Sequence, residues 1–128
     1  MSQSIEKTAP GPEKRPSFIL RAQTPVEEIE PGIKRQLLGY DDQIMAVRVW
    51  FEAGAVGQLH THPHAQVSYV ESGRFDVTVG DDTEMLTAGD SFYIEPHVSH
   101  GAVCLEAGVL IDMFSPMRED FLGGRERT

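Results

Sequence analysis

Apolar and polar residues alternate along most of the chain beyond residue 32, and a period of two predicts strands. Residues 33–40 form one strand candidate. Over residues 44–53 the pattern is clearest, with Met45, Val47, Val49 and Phe51 on one face and Arg48 and Trp50 on the other. A second alternation covers residues 66–71 and stops at Ser72-Gly73. A third covers residues 74–80, with Phe75, Val77 and Val79 opposite Asp76 and Thr78. Gly80-Asp81-Asp82 reads as a hairpin turn, residues 83–87 pair back, and Ala88-Gly89-Asp90 turns again. Residues 91–95, 102–106 and 109–115 complete the strands. Three segments carry weaker signals: 17–22 as a first edge strand, 26–30 as a helical turn before Pro31-Gly32, and 119–122 as another helical turn. Short strands with frequent turns predict an all-β sandwich or barrel. The expected organisation is a polar, flexible tail over residues 1–16 followed by one domain over 17–128.

Composition narrows the function classes. The chain has 128 residues, 40% hydrophobic and 24% charged, with a formal net charge of −9. The Lys and Arg residues form no basic cluster, which argues against nucleic acid as a partner. The single cysteine, Cys104, excludes an intrachain disulfide. Residues 1–17 lack the apolar core of a signal peptide or a membrane span, so a cytoplasmic protein with no membrane partner is expected. Cys104 itself reads as a buried small hydrophobe.

The run His60-Thr61-His62-Pro63-His64-Ala65-Gln66 holds the most distinctive chemistry. Residues two apart on an extended strand face the same side, so His60 and His62 can direct two imidazoles into one cavity. Gln66 has the same parity and can return its amide oxygen to that point. A fourth group must come from elsewhere, and His100 follows a second turn signal at Pro96. His64, next to Pro63, is expected beside the site or at the surface. Three neutral imidazoles and a neutral amide suit one divalent transition metal per chain. Zn, Ni or Fe(II) fit better than Mn, with positions left open for water or substrate. The full charge would remain on such an ion, which makes it a strong Lewis acid toward an anionic ligand.

The spacing from Gly54 through His60, His62 and Gln66 to Gly73 resembles the first motif of the cupin superfamily, G-x5-H-x-H-x3-4-E-x6-G. The run from Gly89 through Pro96 and His100 to Cys104 resembles the second. Gln66 stands where that pattern has glutamate, Cys104 where it has asparagine, and Ser99 where the second motif's glycine spacing is lost. The implied fold is a single small jelly-roll β-barrel, and the implied metal ligands are His60, His62, Gln66 and His100.

A narrower resemblance, carried by HTHPHAQVSYVESGRF, GDSFYIEPHVSHG and LIDMFSPMREDFL, is to the KdgF family of pectin- and alginate-degradation proteins. Glutamine as a ligand is itself a feature of that family. The likeness implies a metal-dependent enzyme that linearises 4,5-unsaturated uronate monosaccharides to 5-keto-4-deoxyuronate, a small sugar acid being the substrate. It assigns active-site roles to Asp112, Phe114 and Arg118. The residues read alone leave alternatives open. Asp112 and Phe114 share a face with Leu110, and Asp112 is either an acid/base toward the cavity or half of an ion pair with Arg118. Phe114 is core or substrate wall, and Arg118 is solvated or grips a carboxylate through two parallel hydrogen bonds. The opposite face of Val109, Ile111 and Met113 has a core or dimer pattern, and small cupins commonly form homodimers. Two other functions compete: a cupin dioxygenase using Fe(II), and a non-catalytic cupin that binds a sugar or another small ligand.

Overall fold

The computed structural model describes residues 15–126, with side chains described through residue 122. The tail expected over 1–16 falls, apart from its last two residues, outside the described residues. The strands are β1 (Glu27–Glu30), β2 (Ile33–Tyr40), β3 (Met45–Phe51), β4 (Val56–His60), β5 (Ala65–Val79), β6 (Asp82–Thr87), β7 (Ser91–Ile94) and β8 (His100–Ser115). One helix, α1 (Glu119–Glu126), follows. All strand pairings are antiparallel, in the order β1-β2-β3-β8-β5-β6, with β4 added to β8 and β7 to β5.

Two long strands fold this one ladder into a barrel. β5 has 15 residues and β8 has 16, and they pair along nearly their whole length. The front half of β5 also holds β7, and its back half holds β6. β8 likewise pairs with β4 at its start and β3 at its end. Their register shifts around Ser72–Arg74, where both strands turn from one sheet into the other. Gly73 occupies that corner with φ +87°.

The alternation seen in the sequence becomes burial. Met45, Val47, Val49 and Phe51 of β3 face the interior and pack with Val70, Phe75, Val77, Cys104, Leu110 and Phe114. Phe51 meets Phe75 edge-on at 5.2 Å between centroids. Cys104 is buried, and burial pushes its thiol pKa up. The thiol therefore stays protonated and behaves as a small hydrophobe.

Four local expectations are corrected. Residues 17–22 form no strand; a short 3-10 turn occupies Arg21–Gln23 instead. Buried Gln36 holds this segment by donating to the carbonyls of Arg21 at 3.1 Å and Thr24 at 3.0 Å. Residues 27–30 are strand and not a helical turn, because Glu27 and Glu28 pair with Arg35 and Lys34 of β2. The segments read as separate strands on either side of Ser72-Gly73, and of residues 107–108, are the continuous strands β5 and β8. The turn expected at 119–122 lengthens into α1. Among the described residues no helix is long and apolar enough to cross a membrane.

Candidate metal centre

β4 ends at His60, and β8 begins at His100 directly across from it in the ladder. Their ring centroids are 4.3 Å apart. His62 lies beyond the end of β4, in the turn to β5, so the extended strand expected to carry both His60 and His62 ends between them. The turn still brings His62 in, with its ring 4.6 Å from that of His100 and 5.5 Å from that of His60. The His97 backbone N–H donates to the His62 carbonyl at 2.7 Å and ties the two loops together. One ring nitrogen from each of His60, His62 and His100 lies within 4.8 Å of the others.

The hydrogen bonds decide which nitrogens are available. Nδ1 of His60 contacts the Gln58 carbonyl at 2.8 Å, that of His62 the His64 carbonyl at 3.1 Å, and that of His100 the Val98 carbonyl at 2.9 Å. A carbonyl only accepts, so each Nδ1 carries its proton and each Nε2 presents a lone pair. Burial lowers the pKa of His62, and it lowers that of His100 to about 4, so both rings are neutral at neutral pH. His62 Nε2 nevertheless lies 2.9 Å from Gln66 Oε1, another acceptor. The Gln66 amide is oriented by donating to Ser68 Oγ at 2.8 Å, and Ser68 in turn donates to Asp112 Oδ1 at 2.6 Å. His100 Nε2 is buried with no hydrogen-bond partner. Lone pairs converging without a proton between them repel unless a cation sits among them. The donor set therefore fits a divalent metal, with His60, His62, His100 and Gln66 positioned to hold it.

His62, Gln66 and His100 are buried while His60 is exposed, so the centre opens on the His60 side. There a cleft of about 270 Å³ runs between β2 and β4, lined by Ile33, Arg35, Gln58, His60, Asp112 and Phe121 among others. Three larger depressions, two of about 560 Å³ and one of about 410 Å³, contain none of the clustered histidines, though the last is lined by Gln66 and Phe114.

Asp112 borders this cleft but is otherwise enclosed. Burial raises its pKa to about 6, against the opposing effects of the Ser68 hydrogen bond and the positive charge of Arg118. Phe114 is buried and meets His62 edge-on at 5.8 Å and Phe121 at 5.6 Å, so it belongs to both core and site. The ion pair between Asp112 and Arg118, one of the two expectations for Asp112, is not formed. Arg118 grips Asp120 instead, with Nε at 3.0 Å and Nη2 at 2.7 Å from its two oxygens. Burial raises the Asp120 pKa, but Arg118 outweighs it and leaves the carboxyl below its ordinary value. The Arg118 guanidinium also lies over the rings of Phe114 at 5.0 Å and Phe121 at 4.4 Å. His64 stands beside the cluster, its ring 5.4 Å from that of His62.

Two site residues were not singled out by sequence reasoning. Ser68 is fully buried on β5, and its signal was a hydroxyl sharing the parity of Gln66 and Val70 within an apolar run. Arg35 lies on the face of β2 that carries core residue Ile33, and its signal was a charge at an inward position. Replacing Ser68 with alanine leaves the Gln66 amide free to turn its oxygen away. The expected result is a metal affinity lower by roughly 10- to 100-fold in a competition titration against a chelator, with the fold retained by circular dichroism.

The chain is similar to known proteins in sequence and fold. Residues 47–114 match the family described as Cupin domain. The chain is 42% identical over 107 residues to the pectin degradation protein KdgF of Dickeya dadantii, covering 82% of this chain and 97% of that one. The structure of KdgF from Halomonas sp. is similar at 40% identity and a TM-score of 0.79, covering 83% of this chain and 98% of that one. An RmlC-like cupin from Shewanella frigidimarina is similar at 52% identity and a TM-score of 0.81, covering 86% and 97%.

Proposed function

From a chain that belongs to the cupin superfamily, and within it to the KdgF family, we propose a metal-dependent enzyme that converts 4,5-unsaturated uronate monosaccharides to the open-chain 5-keto-4-deoxy acid. The observation that carries this reading is the convergence of lone pairs from His60, His62, Gln66 and His100 beside a carboxyl group with a pKa of about 6. A divalent ion bound by these four side chains supplies Lewis acidity toward a substrate oxygen; Zn, Ni and Fe(II) suit the nitrogen-rich donors.

The chain's own groups handle the proton. Ring opening requires one proton to leave a hydroxyl oxygen and one to reach C4 of the enol ether. Asp112, accepting a hydrogen bond from Ser68 and facing the cleft, can take the first and deliver the second. A pKa near the working pH keeps both of its forms populated. Phe121 lines the cleft with apolar surface, and Phe114, buried behind it against the His62 ring, backs that wall. Arg118, anchored by Asp120, adds positive potential that favours an anionic substrate despite the net charge of −9. Outer-face residues Val67, Tyr69, Tyr93 and Met113 are exposed and form the surface through which we propose that two copies pair.

The test is incubation of purified protein with unsaturated uronate from a lyase digest. Ultraviolet absorbance of the enol ether should disappear catalytically, stop after chelation and resume when a divalent metal is restored. Stable absorbance with fully loaded protein defeats the proposal. Oxygen uptake during turnover would instead favour the dioxygenase reading.

A further inference from the structure

The cleft contains a cationic group of its own. Arg35 projects from β2 onto the wall that it shares with His60 and Asp112. Its side chain is 15% exposed and its guanidinium lies 3.9 Å from the centroid of the Phe121 ring. Arg118 reaches the same ring. The two guanidinium groups differ in what they have left to offer. Arg118 spends Nε and Nη2 on both oxygens of Asp120, a closed two-point pair. Arg35 directs Nε at 3.3 Å and Nη2 at 3.0 Å to one oxygen, Oε1 of Glu27. Two of its five N–H donors are thereby used, and the remaining three have no hydrogen-bond partner among the described residues. Glu27 approaches from β1, where it pairs directly across from Arg35. The ion pair holds the guanidinium in place at the cleft wall without closing its fork.

We propose that Arg35 is the residue that recognises the carboxylate of the substrate, and so sets preference for a uronic acid over its neutral ester. The inference rests on the uronate reading above and identifies which arginine serves it. A planar guanidinium stacked on an aromatic ring is pre-organised, so little side-chain freedom is lost when a carboxylate docks. From this wall it holds the sugar acid with its ring toward His60 and Asp112. Glu27 is the positioning partner, and Phe121 is the platform. Glu30, also at the cleft, carries the opposite charge; it disfavours a carboxylate placed at its own end and so reinforces the orientation.

The measurement is calorimetric binding of galacturonate and of its methyl ester to full-length, metal-loaded protein. Neither compound carries the reactive double bond, so binding is read apart from turnover. Wild type should prefer the acid, and Arg35→Gln should reduce the acid-to-ester preference by roughly 10- to 100-fold, the range for losing hydrogen bonds between charged groups. Arg118→Gln should weaken that preference less than Arg35→Gln does, because Nε and Nη2 of Arg118 are already committed to Asp120. Should Arg35→Gln fail to fold, Arg35→Lys keeps the charge but loses the fork, and its preference should fall several-fold. Glu27→Gln separates recognition from structural bracing. It removes the ion pair but keeps the guanidinium, so acid binding should persist, whereas a purely structural role predicts that it behaves like Arg35→Gln. An unchanged preference in Arg35→Gln or Arg35→Lys, a larger loss in Arg118→Gln than in Arg35→Gln, or no preference in wild type overturns the assignment. Absence of turnover on unsaturated uronate, with the acid preference intact, would overturn the reaction and not the role of Arg35.

Discussion

Replacing Asp112 with asparagine is expected to reduce kcat by about 10²- to 10⁴-fold while making the folded protein more stable at neutral pH. The first effect follows from removing the group that takes and returns the proton, a barrier increase of about 3–5 kcal/mol. Asparagine keeps the shape and can still accept from Ser68, so KM should change little. The second effect has the opposite sign. The Asp112 carboxyl rises from an ordinary 3.8 to about 6 because burial penalises its charged form. Between these values the folded chain binds more protons than the unfolded chain, so wild-type stability declines as pH rises through the interval. About two pH units at 1.36 kcal/mol each amount to up to about 3 kcal/mol above the folded-state pKa. The advantage of Asp112→Asn should therefore be small near pH ~4, grow toward ~6 and level off beyond it. Urea unfolding across this range is the check, on chelator-treated protein, because a nearby divalent cation favours the carboxylate. A variant with near-wild-type kcat, or one whose stability advantage shrinks with rising pH, would refute the acid/base assignment.

Alanine at Gly108 is the substitution expected to harm the fold most. β5 and β8 touch backbone to backbone where they change sheets. A Cβ built on Gly108 would lie 2.6 Å from Gly73 Cα and 2.7 Å from the Ser72 carbonyl carbon. Neither obstacle is a side chain that could rotate away. Gly73 faces the same barrier, at 2.5 Å from Gly108 Cα, and its φ of +87° further disfavours any other residue. The expected cost of Gly108→Ala is about 3 kcal/mol or more, a large share of the roughly 5–15 kcal/mol that holds a typical domain folded. Gly54→Ala is the reference. That glycine also has positive φ, but nothing lies within 4 Å of its added Cβ, and the cost should be about 1 kcal/mol. Equal urea midpoints for the two variants would show that the crossing is more pliant than its geometry implies.

The alternating residues of β3 and the halves of β5 were legible in the sequence because each buries one face, and burial imposes the period. Continuity through Gly73 was not legible, since a bend that swaps sheets also interrupts the alternation. Residues 27–30 looked helical by composition, yet strand pairing with β2 and the Glu27–Arg35 ion pair override local propensity. At the site, the histidines announced themselves by spacing. Ser68 did not, because its importance lies in pairing with Asp112, 44 residues away. Arg118 drew attention as a loop cation near Asp112, but Asp120, two residues on, captures it. Arg35 carried only the weak signal of an inward charge, and its meaning depends on the separate elements that bring His60 and Phe121 beside it.

β8 bears His100 at its first residue and Asp112 and Phe114 near its last, and β5 supplies Gln66 and Ser68 opposite the latter pair. During synthesis, a nascent chain that has not yet emitted β8 possesses two of the three clustered histidines, with Gln66, but no complete cage. An ion held by the proposed ligands would be captured only with the closing strand, and once captured would oppose release of that strand by mass action. On the proposed ligand set loading and final closure would be one event, and starving the medium of the cation should leave a population more easily nicked by protease along β8.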